Sequence, residues 1–192
     1  MTYFKPPPPA DDMAAASDAF VRAIKEEMGN GEIFSEWLCD RSTRDDHHVI
    51  AYYGNWDFFE PEVFQWIVSR PDCEAATALL IFWKAQPEYY LLIGRDRDAM
   101  NDSMNPNYVS DVVKRFDLTE YTRKRWVGEG YSNRNFGFEF HRDLWPNEFD
   151  ELYQKFGSAV DDYLPVSMRT PIPGEQIETI RPRATITNDD LG

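Results

Sequence analysis

The sequence predicts a mainly α fold: an irregular antiparallel stack of helices with a short β or loop element near 131–141 and an extended C-terminal tail. Three observations predict it. Apolar residues recur at helical spacing through most of the chain between Asp11 and Tyr163. Capping residues and helix-ending Gly and Pro punctuate that pattern at short intervals. Around Phe136, Phe138 and Phe140 the apolar period shortens to two, the period of a strand. The 192 residues suit one domain, divided into a Pro-rich lead (1–10), a helical domain (11–163) and an extended or partly disordered tail (164–192). A domain of this size buries roughly 70% of its unfolded surface and needs no cross-links.

Taken in order, Lys5 to Pro9 reads as a polyproline II lead. Asp11 or Asp12 caps a helix with Phe20, Val21, Ile24 and Met28 inward, closed by Gly29-Asn30-Gly31. A short helix follows with Phe34, Trp37 and Leu38 on one side. Ser42 or Thr43 caps the next, whose first turn carries Asp45 and Asp46 where the helix dipole favours them. Its inward residues are Val49, Ile50, Tyr52 and Tyr53.

Residues 54–83 are the least random part of the chain. Pro61 suits a helix first turn, with Val63, Phe64, Trp66 and Ile67 as the apolar face. Pro71 stops that helix, because the residue before a proline is pushed out of the helical region. Asp72 is then expected to cap a helix from Cys73 to about Gln86, apolar nearly all round and therefore central to the fold. Pro87 to Ile93 forms a short helix closed by Gly94, and a long one runs from about Asn107 to Val127 with Val109, Val112, Val113, Phe116 and Tyr121 inward. A last helix is expected from about Pro146 to Tyr163 through Phe149, Leu152, Tyr153, Phe156 and Val160. From Leu164 onward there are four prolines and few large apolar residues. No internal repeat is clear enough for a solenoid.

Charge narrows the function classes. The chain has 34 acidic and 20 basic residues, a net of −14. Residues 1–64 hold 13 acidic and 5 basic, 65–128 hold 9 and 9, and 129–192 hold 12 and 6, so both ends are acidic around a balanced middle. A field of that sign repels phosphate backbones and disfavours nucleic-acid binding, while it would steer a basic partner into contact. The start MTYFKPPPP has no apolar h-region, and the longest apolar run, Ala75 to Trp83, is too short for a membrane span, so a cytoplasmic protein is expected.

The candidate sites compete with plainer readings. Asp45 and His48 share a helix face at i and i+3, and His141 could join them in a metal site, but zinc needs three or four convergent ligands; no metal and no cofactor is expected. Residues 96–107 begin like a calcium loop but lack its glycine and terminal glutamate. Cys73 sits where a helix N-terminus would favour a thiolate, yet Asp72 and Glu74 flank it and oppose ionisation, so a core role is preferred. Cys39 and Cys73 make no disulfide framework. The cations Lys114, Arg115, Arg123, Lys124 and Arg125 either pair with the acidic ends within the domain, the preferred reading, or touch an acidic ligand. Asn55, Trp56, Asp57 and Thr77 either fasten a helix–turn–helix junction, the preferred reading, or line a small pocket.

Those residues also carry a resemblance. Asn55-Trp56-Asp57, the Ile-x-x-x-Pro-x-Cys segment from Ile67 to Cys73, and Thr77-Ala78-Leu79 with Phe82 resemble a bacterial domain of unknown function over about residues 43–95. Phe58 and Phe59 depart from the glycine that follows the Asp in that pattern, while Glu74 keeps its acidic residue. The resemblance implies a small helical module and no catalytic residue. Small acidic proteins of this kind look like immunity proteins, which guard a cell from its own toxin.

The expected function is thus a non-enzymatic, acidic protein-binding module, with a basic protein as partner and neither nucleic acid nor membrane. The alternatives are a metal-assisted hydrolase built on Asp45, His48 and His141, and a self-associating structural protein.

Overall fold

The computed structural model describes residues 38–54, 56, 61–94, 106–139 and 149–176. The Pro-rich lead, the helices expected before Leu38, and residues Asn55, Asp57, Phe140 and His141 lie outside the described residues, as does 177–192. Within them the fold is mainly α, with α1 (Arg44–Tyr53), α2 (Pro61–Ser69), α3 (Ala75–Lys84), α4 (Pro87–Leu92), α5 (Pro106–Gly128), α6 (Phe149–Phe156) and α7 (Ala159–Tyr163). A 3-10 turn, Val166–Met168, follows α7.

Helix α1 starts where its sequence says it should. Thr43 is the N-cap and forms a capping box with Asp46, satisfying donors that the first helical turn leaves open. Helix α2 begins at Pro61, and it ends at Ser69, two residues short of Pro71. Its residues Val63, Phe64, Trp66, Ile67 and Val68 are all buried.

Helix α3 is the centre of the molecule. Every residue from Ala75 to Trp83 is buried, and the helix packs against α1, α2, α4 and α5. The expected start at Cys73 and cap at Asp72 are corrected. Glu74 occupies the N-cap with an extended backbone and no side-chain cap bond. The reason is tertiary: Glu74 bridges to Asn133, and the Ala75 N–H donates to the Asn133 carbonyl at 2.9 Å. A distant extended segment thus fills the capping role, and Asp72 is left to bind Arg70.

Helix α4 follows Gln86, a non-glycine residue in the left-handed region (φ 60), and Gly94 (φ +79) stands just beyond its end. Cations fasten the long helix α5 to α2 and to Trp56, which precedes α2. Lys114 pairs with Glu62 at 2.8 Å, Arg125 donates to the Val68 carbonyl, and Arg115 donates to the Trp56 carbonyl. The pairing expected with the acidic ends is met at Lys114, whereas Arg115 and Arg125 reach carbonyls and Arg123 pairs with Glu120 on its own helix at 3.1 Å. The single helix expected over Pro146–Tyr163 is broken into α6 and α7 by Gly157, whose φ of +56 no continuous helix allows.

The strand-like segment around Phe136 and Phe138 forms isolated bridges, and no sheet exists among the described residues. Phe138 exchanges two 2.9 Å backbone bonds with Ile172, and Phe136 bridges to Glu175. Gly174 makes the crossing possible: a Cβ there would stand 2.5 Å from the Phe136 carbonyl carbon and 2.7 Å from the Gly137 nitrogen. The tail expected from Leu164 is therefore packed as far as Gln176. Leu164, Met168 and Ile172 belong to the core, and the Trp83 indole N–H donates to the Met168 carbonyl at 2.9 Å.

Candidate functional site

Two of the polar residues singled out in the sequence, His48 and Thr77, meet across the α1–α3 contact. His48 on α1 and Thr77 on α3 are both buried, and His48 Nδ1 shares a hydrogen bond with Thr77 Oγ1 at 2.9 Å. The ring of Phe136 lies over His48, with centroids 4.8 Å apart. Thr77 thus fastens the two helices together.

Beside this pair stands Glu74, whose side chain is 1% exposed. Its Oε1 accepts from Arg44 at 3.1 Å and from the Asn135 side-chain amide at 2.6 Å, and its Oε2 accepts from the Asn135 backbone N–H at 2.8 Å. A carboxylate so enclosed is tolerable because its acceptors are filled by charge-assisted bonds.

His47 faces the other way. Ser42 Oγ donates its one proton to the Leu38 carbonyl, so at the 2.7 Å contact it must accept from His47 Nε2. That fixes the neutral tautomer with its lone pair on Nδ1, an atom with no hydrogen-bond partner among the described residues. Burial, with Arg70 nearby, pushes the imidazole down to about 3, against the opposing pull of Asp72. The His47 ring meets the Trp66 ring edge-on at 5.3 Å, the Arg70 guanidinium lies 4.7 Å from the Trp66 centroid, and Arg70 grips Asp72 through two bonds of 2.9 and 3.1 Å. Asp46 is also buried; its Oδ2 accepts from the Thr43 N–H and hydroxyl, while Oδ1 is unpartnered, and burial raises its pKa to about 6.

Neither thiol is poised to react. Burial, reinforced by Asp40, pushes Cys39 up to about 12, and burial also drives Cys73 strongly upward. A thiol held protonated is a poor nucleophile. Cys73 instead points its sulfur toward the Glu74 carbonyl at 3.5 Å. Trp56 stacks flat on Phe64 with centroids 3.8 Å apart and an interplanar angle of 4°.

The structure thus joins His48 to Thr77, holds Glu74 and Cys73 side by side at the start of α3, and sets Trp56 against α2. Asp45 lies in the first turn of α1, whereas His48 turns inward to Thr77. Among the described residues no group of three or more His, Cys, Asp or Glu could hold a metal ion. No helix among them is long and apolar enough to cross a membrane. Sequence reasoning missed Asn135, and it read Glu74 only as a neighbour of Cys73 and an acidic residue of the family pattern. Glu74 carried one legible signal, an acidic residue directly before a wholly apolar helix; its partner 61 positions away had none.

Residues 42–117 match the family model described as Domain of unknown function (DUF4274). That span holds α1 to α4 and the first half of α5, including His48, Cys73, Glu74 and Thr77. No curated protein and no solved structure matches the chain.

Proposed function

We propose that this chain is a non-enzymatic, acidic protein-binding module whose partner presents a basic surface, with toxin neutralisation as its concrete form. One observation carries the reading: four cations of the folded body are taken up by partners within it, while several of its acids face solvent. Arg70, Lys84, Arg115 and Arg125 are directed to a carboxylate or to backbone carbonyls inside the fold. Asp40, Glu129, Glu151 and Glu175 are exposed. The net charge of −14 sets up a negative field, and such a field accelerates encounter with a basic protein. The polar groups at the α1–α3 contact support the same reading, because His48 and Thr77 bind each other and Glu74 is taken up by Arg44 and Asn135.

The test is affinity purification of the full chain from its native host at low and moderate salt. A basic protein retained in near-equal amount, with an association rate that falls several-fold as salt rises from about 0.05 to 0.2 M, is the expected result. A partner with an acidic surface, or a rate indifferent to salt, overturns the reading.

A further inference from the structure

Residues 131–139 form no regular element, yet they cover the N-terminal end of α3 and the polar pair beneath it. Tyr131, Phe136 and Phe138 are buried, whereas Ser132, Arg134, Asn135 and Glu139 face solvent. What lies underneath is specific. Phe136 sits on His48, Asn135 closes over Glu74, and Tyr131 is near enough to Cys73 for their ionisations to oppose each other. The segment leaves α5 through Gly130 (φ +76), and its hydrogen bonds to the rest of the fold fall at separate points rather than in a repeating ladder. They include the Tyr131 hydroxyl on the Val68 carbonyl at 3.1 Å, Asn133 on Ala75, Asn135 on Glu74, and the two bridges to Ile172 and Glu175, and ring contacts of Tyr131 and Phe136 add to them. A helix is held by its own repeating bonds; a layer held by separate contacts can part while the helices beneath stay packed.

We propose that residues 131–139, with the bridged segment 172–175, form a lid that opens as a unit and admits solvent to Cys73, Glu74, Thr77 and His48 while α1 to α5 remain packed. The Glu74–Asn135 contact is its fastening. The crossing at Gly174 makes the two segments move together, since the Gly137 N–H donates to the Glu175 carbonyl and the Glu175 N–H to the Asn135 carbonyl, both at 2.8 Å. The inference is independent of the binding reading and would hold for a protein with any partner.

Cys73 provides the probe, because it is 2% exposed and can be alkylated only when uncovered. The full chain is treated with N-ethylmaleimide across a urea series, and labelling at Cys73 is read by peptide mass spectrometry. The expected result is a urea dependence for Cys73 labelling less than half as steep as that of global unfolding followed by circular dichroism, since the slope scales with surface exposed. Equal slopes overturn the lid.

Two variants sharpen the test. Asn135→Ala should raise Cys73 labelling without urea at least tenfold. Val113→Ala, in the buried part of α5, should lower global stability yet leave Cys73 labelling within twofold; labelling that rises in step with the global loss overturns the proposal. Hydrogen exchange on the unaltered protein supplies an independent check. The Phe138 and Ile172 amides should exchange well before those of Leu79 to Phe82, and equal protection overturns the lid.

Discussion

Glu74 and Asn135, 61 positions apart, are joined by two hydrogen bonds that bind the start of α3 to the segment lying over it. The same carboxylate also meets Arg44, but that side chain is 44% exposed, so the ion pair is largely screened. The Asn135 bonds should dominate. Glu74→Ala is expected to cost about 2–4 kcal/mol in urea unfolding, because it strips acceptors from a buried polar contact. Arg44→Ala should cost under about 1 kcal/mol. Equal losses would place the energy in the ion pair instead.

His48 and Thr77 make a sharper test of lock against pocket. Thr77→Val keeps the shape of the side chain but leaves His48 Nδ1 without its Thr77 partner, and it should destabilise by about 1–3 kcal/mol. Thr77→Ser, which keeps the hydroxyl, should recover most of that loss. A Thr77→Val protein as stable as the original would show that the hydroxyl is not a structural bond.

Acid should act on His47 and Asp46 in opposite directions. His47 has its folded pKa depressed from 6.5 to about 3, so the unfolded chain takes up the proton first and stability falls as pH drops through that window. Asp46 is raised from 3.8 to about 6, so its ionised form strains the fold at neutral pH; stability is lost as pH rises through 6 and regained as it falls toward 3.8. Between pH 6 and 4 the two offset each other. Asp46→Asn removes the regained part, at most about 3 kcal/mol, and should make the loss between pH 6 and 4 steeper. Urea midpoints measured across that range decide it, and parallel profiles for the two proteins would refute the assignment.

The Gly174 crossing predicts a contrast between glycines. A Cβ at Gly174 meets backbone atoms that cannot yield, so Gly174→Ala should destabilise by about 1–3 kcal/mol. Gly128 ends α5 with nothing within 4 Å of a built Cβ, so Gly128→Ala should be neutral or gain up to about 1 kcal/mol. Thermal melts of the two variants would show the difference directly.

The helices were legible wherever local chemistry decides them. Thr43 and Asp46 spell a capping box, Pro61 and Pro71 bracket α2, and the run of Ala75 to Trp83, apolar but for Thr77, reads as a buried helix. The start of α3 was not legible, because Asn133 rather than Asp72 sets it, and a bond from so distant a segment leaves no trace in local spacing. The burial of Met168 and Ile172 was hidden in the same way: sparse apolar residues among prolines look like a loose tail until Trp83 and Phe138 supply their partners. Of the candidate site, Thr77, Cys73 and His48 could be picked out by type. That Thr77 meets His48 rather than the turn before α2 follows from how α1 packs on α3, a matter of tertiary geometry.

The 85-residue separation between Trp83 and Met168 has a consequence during synthesis. Helix α3 leaves the ribosome with apolar side chains on every face, and the carbonyl that receives its indole is made only much later. At about 5–20 residues per second, that interval lasts roughly 4–17 s, during which the nascent helix is a natural client for a chaperone.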